Sequence, residues 1–271
     1  MEFSNSPLAT VRMISPNRTA NRNHAIDTIT IHCFVGQVTA KQGCEVFQSR
    51  SMQASCNYVV GCDGSIGLCV EEKDRSWCTG GKDKKGNPIR VNGISGASND
   101  YQAVTIEVAC DGTHPYAITE KAMASLIELC ADICRRNGIK KLLWSGDKKL
   151  VGNPGKQNLT VHRWFANKAC PGDYIYQRIG SIAAKVNAKL GADVTGQHPG
   201  ISVSKVPYQV RITAADLRVR RGPGTDTAIV QNGIKPGVYT IVSEAAGKGA
   251  SMWGKLKSGA GWVSLDYCTR V

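Results

Sequence analysis

Residues 27–34, DTITIHCF, decide how the first two-thirds of this chain folds. β-Branched and apolar residues alternate with polar ones, which is the two-residue period of a strand. That alternation turns Ile31 and Cys33 to one side and His32 to the other, at the strand's end. A second run, AVTIEVAC at 103–110, predicts another buried strand. Between them CNYVVGCDGSIGLCV (56–70) reads as two short strands joined at Asp63-Gly64, a hairpin signal. Met123, Leu126, Ile127, Cys130 and Cys134 recur at helical spacing behind a capping Thr119, and Gly138 ends the run. Residues 141–145 predict one more strand, and Asp173 to Leu190 a helix stopped by Gly191. Such alternation predicts an α/β domain, a mixed β-sheet flanked by helices.

The style of the sequence changes at 191–206, GADVTGQHPGISVSKV, which has no helical period and reads as a linker. Three parts are expected: a domain over 1–190, the linker, and a small all-β domain over 207–271. The last holds only short runs, VRITA, LRVRRGPG, VYTIVSE, WGKLK and GWVSLDYC, separated by Gly and Pro, and predicts a small barrel or sandwich.

A hydrophobic content of 42% and a mean hydropathy of −0.22 describe an ordinary globular chain. Runs of about 18 apolar residues are absent, so no membrane span is expected. The first residues lack the apolar core and cleavage site of a secretory signal, so synthesis in a cytoplasm without such a signal is expected. A formal charge of +13 favours polyanionic partners, among them cell-wall polymer. The Lys and Arg residues are scattered and form no basic helix with interleaved aromatics, which argues against nucleic acid. Ten of the eleven cysteines precede residue 171 and none forms a CxxC pair. Most are read as small, buried, reduced apolar residues rather than disulfides or a zinc knuckle.

His32 alone would be read as a satisfied buried residue. Its company changes the reading. In VHRWFANKACPGD (161–173), His162 and Cys170 stand eight residues apart in an expected loop. Two neutral imidazoles and a thiolate would make three ligands and leave a fourth tetrahedral position open, the form of a catalytic zinc site.

The segments TIHCF, ASCNYVVGCDGSI, AVTIEVA and VHRWFANKACPGD, in that order, resemble the zinc-dependent N-acetylmuramoyl-L-alanine amidases. This superfamily also holds the phage lysozyme-type amidases and the peptidoglycan recognition proteins. The resemblance covers roughly residues 25–190. It implies that His32, His162 and Cys170 bind Zn2+, that Lys168 stabilises a developing oxyanion, and that Glu107 moves the proton. Without it, Glu107 is a strand residue turned to solvent and Lys168 an ordinary loop lysine. Phage lysozyme-type relatives carry a catalytic Tyr just before a His, where this chain has Cys56-Asn57. Tyr58 would face the opposite way from Asn57, so no catalytic Tyr is assigned. Asn57 and Trp77 are expected beside the substrate groove, with a core aromatic as the other account of Trp77.

Residues 207–271 resemble bacterial SH3-like domains through the RxGPG turn and the terminal GWV strand. That likeness implies a wall-binding module, for which Tyr208, Trp253, Trp262 and Tyr267 are aromatic candidates. The whole reads as a monomeric endolysin or autolysin with bacterial peptidoglycan as its partner and neither nucleic acid nor membrane. The rival is a non-catalytic peptidoglycan recognition protein.

Overall fold

The computed structural model describes residues 3–191, 206–214 and 216–271. The chain divides into two units, Met1–His198 and Pro199–Val271. Of the expected linker, residues 192–205 lie outside the described residues.

The first unit runs β1 (Val11–Arg12), β2 (Arg18–Thr19), β3 (Thr28–Val35), α1 (Ala40–Val46), β4 (Tyr58–Val60), β5 (Ile66–Leu68) and β6 (Arg75–Ser76). It continues with β7 (Arg90–Val91), β8 (Ile94–Ser95), α2 (Gly96–Gln102), β9 (Ala103–Cys110), α3 (Glu120–Arg136), β10 (Leu159–Val161), α4 (Gly172–Tyr176) and α5 (Ile179–Leu190). Six strands make a mixed sheet in the order β1-β5-β4-β9-β3-β10. Only β4 and β5 run antiparallel in it, joined through Asp63-Gly64, where Gly64 takes a φ of +86° that a side chain would strain.

The strand period divides the sheet into an oily face and a polar one. Ile29 and Ile31 of β3, Val104 and Ile106 of β9, and Leu159 and Val161 of β10 pack against α3 and α5 in the main core. Helix α3 presents Leu126, Ile127, Cys130, Ile133 and Cys134 to it, and Thr119 caps its start by accepting the Ala122 N–H. Glu120 in the first turn and Arg135 and Arg136 in the last suit the helix dipole. On the opposite face α1 brings Ala40 and Cys44 against Cys56, Val59 and Cys69. Its start is a capping box made by Thr39 and Gln42.

Two expectations need correction. Residues 141–145 are not a strand. Their backbone is satisfied by side-chain amides in place of a neighbouring strand: Asn187 accepts the Leu142 N–H at 2.7 Å and donates to the Leu142 carbonyl at 2.9 Å. Asn158 likewise accepts from Leu143 at 2.7 Å and donates to the Lys141 carbonyl at 2.9 Å. The helix expected over 173–190 is two, α4 and α5, which break at Gln177 and Arg178. There the Arg178 guanidinium donates to the Tyr174 carbonyl, while the Arg178 N–H turns to Ile175 instead.

The second unit is all β: β11 (Tyr208–Ile212), β12 (Val219–Arg220), β13 (Ile229–Gln231), β14 (Gly237–Gly247), β15 (Ala250–Leu256), β16 (Trp262–Ser264) and β17 (Cys268–Arg270). They form one antiparallel sheet in the order β13-β12-β16-β15-β14-β11-β17. Val210, Ile212, Leu217, Val219, Ile241, Leu256 and Val263 make a core of its own. Of the aromatic candidates, Trp253 is buried, Tyr208 and Trp262 are half-buried, and Tyr267 is exposed.

Candidate metal centre

Three parallel strands lie side by side at the polar face, and His32 sits within β3 rather than at its end, because the ladder to β9 continues to Val35. Residues 30–32 read Thr-Ile-His, 105–107 Thr-Ile-Glu and 160–162 Thr-Val-His. The ladder sets Thr30 against both Thr105 and Thr160, and His32 against Glu107. His162 follows one step past Val161, the partner of Ile31. With side chains alternating, each Thr lies beneath the functional residue of its strand.

The hydroxyl row below is tied together. Thr30 and Thr160 hydroxyls meet at 2.7 Å, and the Asn99 amide bridges both, at 2.9 and 3.1 Å. Thr105 bonds Ser76 at 2.7 Å. This buried network fixes the strands that carry the site.

Cys170 reaches the site from the loop after β10. The Arg163 N–H donates to the Cys170 carbonyl at 3.0 Å, and the Cys33 N–H points at Cys170 Sγ at 3.4 Å. Cys170 Sγ lies 3.5 Å from His32 Nδ1, and the rings of His32 and His162 stand edge to face with centroids 5.0 Å apart. Ligand atoms of His32, His162 and Cys170 all lie within 4.8 Å of one another. Tetrahedral zinc with two nitrogens and one sulfur holds its donors about 3.3–3.6 Å apart. The 3.5 Å between Nδ1 and Sγ meets that spacing.

Two further observations fit a cation. His162 Nε2 is buried with no hydrogen-bond partner, and so is Glu107 Oε2. Both imidazoles are held neutral, with lone pairs free to ligate. Burial, then His162, then Lys168 keep His32 well below the usual imidazole range. Burial and Lys168 bring His162 down to about 4. The Thr79 hydroxyl sits 3.3 Å from His32 Nε2 and leaves Nδ1 turned to Cys170.

Glu107 stands beside these three residues, its Oε1 3.9 Å from His32 Nδ1 and its side chain 15% exposed. Burial pushes its carboxyl up to about 7, against opposing pulls from the Cys78 thiol and Lys168. A carboxyl poised there can take and return a proton near neutrality. Lys168 is exposed on the Cys170 loop, and its charge is felt by His32, His162 and Glu107 alike.

The structure thus brings together His32, His162, Cys170, Glu107 and Lys168. Asn57 does not join them. It is fully buried, its amide donating to the Val70 carbonyl at 3.1 Å and its oxygen accepting the Thr105 N–H at 3.1 Å, so it stitches β4 to β9 instead of meeting a substrate. Trp77 is half-buried, with its indole N–H on the Thr19 hydroxyl at 2.9 Å. Tyr58 is likewise buried, donating to Glu72 at 2.6 Å, far from catalytic duty.

Sequence reasoning missed Cys78 and Thr79, the neighbours of Trp77. The Cys78 thiol lies 3.7 Å from Glu107 Oε1. The thrice-repeated Thr-apolar-His/Glu pattern was the signal that the strands would meet in register.

A family model described as N-acetylmuramoyl-L-alanine amidase matches residues 22–173. No curated protein sequence matches the chain. Among solved structures, a mutant endolysin from Bacillus subtilis is similar at 17% identity over 65% of this chain and 97% of its own, with a TM-score of 0.42. A selenomethionine AmpD derivative matches at 16% identity over 68% and 99%, with a TM-score of 0.47. An endolysin N-acetylmuramoyl-L-alanine amidase, LysCS, from Clostridium intestinale matches at 18% identity over 70% and 94%, with a TM-score of 0.38.

Proposed function

Since this chain belongs to the N-acetylmuramoyl-L-alanine amidase family, we propose that it hydrolyses the amide between N-acetylmuramic acid and the L-alanine of the stem peptide with zinc as its cofactor. The observation that carries this reading is the shared rung of Glu107 and His32, with His162 and Cys170 closing the group.

His32, His162 and Cys170 would hold the metal. Zinc bound there supplies Lewis acidity to the scissile carbonyl and lowers the pKa of the attacking water. Glu107 takes the proton of that water and passes it to the departing amine of L-alanine. Lys168 sets its ammonium where the carbonyl oxygen gathers negative charge. Thr79 keeps His32 turned so that Nδ1 faces the metal position.

The all-β unit is proposed to be an SH3-like module that holds the enzyme on the wall and raises its local concentration on an insoluble substrate. The chain's charge of +13 suits an anionic wall polymer. Together the two units would make a peptidoglycan hydrolase of the endolysin or autolysin kind.

Digestion of purified cell wall tests the reading. New amino termini on L-alanine without new reducing sugars are expected, and a chelator is expected to stop their release. Undiminished release in chelator would remove zinc from the mechanism. Wall binding with no new termini would make the chain a recognition protein.

A further inference from the structure

Cys78 has no part in that reaction, yet it stands against the residue that moves the proton. Its thiol is 3.7 Å from Glu107 Oε1, and ligand atoms of His32, Cys78 and Glu107 all lie within 4.8 Å of one another. Glu107 Oε2 is buried and partnerless. The segment that presents Cys78 is fixed in place. Asp100 Oδ2 accepts the N–H groups of both Cys78 and Thr79 at 2.9 Å, and the Ser55 N–H bonds the Trp77 carbonyl at 3.0 Å. Pre-set donors of this kind cost little reorganisation when an ion arrives.

A thiolate, a carboxylate and an imidazole together are a donor set for a thiophilic divalent cation. We propose that Cys78 and Glu107 form a second, weaker site for such a cation, Zn2+ itself or Cd2+, beside the His32–His162–Cys170 centre. Filling it switches hydrolysis off, because the Glu107 carboxylate is then a ligand and no longer carries a proton. His32 belongs to both donor groups. Once its Nδ1 serves the first ion, the second keeps two protein donors and water, which makes it the weaker site. Binding forms a sulfur–metal bond and releases the Cys78 thiol proton to solvent, and no electrons are exchanged.

The inference rests on the amidase reading, and metal counting separates the two. The full-length protein is dialysed to equilibrium against graded free Zn2+, and bound metal is measured by elemental analysis. Wild type is expected to reach about two ions per chain, and Cys78→Ser and Cys170→Ser about one each. In wild type, wall hydrolysis should fall about 100-fold as the second ion binds, the order of a lost general base. In Cys78→Ser excess zinc should leave hydrolysis unchanged, and Cys78→Ala should reproduce that result. Equal metal content in wild type and both Cys78 variants, or equal inhibition by excess zinc, would overturn the proposal. An unaltered metal count in Cys170→Ser would instead overturn the centre assigned to the reaction, leaving the Cys78 difference to stand by itself.

Discussion

Glu107 and His32 face each other across one rung of a parallel ladder, which makes their separation a property of the backbone and not of flexible loops. The two are therefore separable by mutation. Cys170→Ser should lose the zinc of the His32–His162–Cys170 centre and activity together, read by metal analysis and wall clearing. Glu107→Ala should keep zinc and lose about 100-fold to 10,000-fold in turnover, the range of a general base. If Glu107→Ala turned over normally, the proton would travel by another group. Thr79→Val removes only the partner of His32 Nε2, and should weaken zinc affinity about 10–100-fold, measured by competition with a chelator. His162 and Cys170 were legible in one short loop pattern, whereas His32 and Glu107, each an ordinary strand residue by itself, took their roles from the family resemblance. Cys78 and Thr79 were not, because their approach to Glu107 and His32 depends on how Asp100 holds the chain between β6 and β7, a contact across some twenty residues that no local spacing reveals.

At the scale of elements, strands β3 and β9, the β4–β5 hairpin and helix α3 follow from period and caps, since apolar alternation and a Thr cap act within a few residues. The misreadings share one cause, a side chain answering backbone groups that regular structure would have answered. Leu142, Leu143 and Trp144 form a short apolar run that reads as a strand, but two asparagine amides take the place of the neighbouring strand. Arg178 does the same to one helical carbonyl and divides α4 from α5. Asn187 is buried, so Asn187→Leu strands the N–H and carbonyl of Leu142. Each lost bond should cost about 1–3 kcal/mol, visible as a lower denaturant midpoint at unchanged slope. A midpoint equal to wild type would mean that segment 141–143 finds other partners.

Among the described residues the two units share no core residue: the first has its main core between the six-stranded sheet and α3 and α5 and a smaller one under α1, and the second has a core inside the seven-stranded sheet. Residues 1–191 should therefore fold alone and still cleave a soluble muropeptide, while retention on intact walls, followed by co-sedimentation, should drop. Equal retention would take the wall-holding role away from residues 207–271. The start of the chain behaves differently. Tyr58, Arg136 and Asn137 surround the fully buried carboxylate of Glu72, at 2.6, 2.6 and 3.1 Å. The opening residues complete that cage: Asn5 accepts the Glu72 N–H at 2.9 Å, the Ser6 N–H donates to the Tyr58 hydroxyl at 2.7 Å, Arg136 also reaches the Ser4 carbonyl, and β1 lies along the edge of the sheet. The family match begins only at residue 22. A shortened gene drafted from that boundary would leave a buried anion half wrapped and an edge strand missing, and its product should collect in inclusion bodies. The front of the chain is therefore the end that any shortened version of the first unit has to keep.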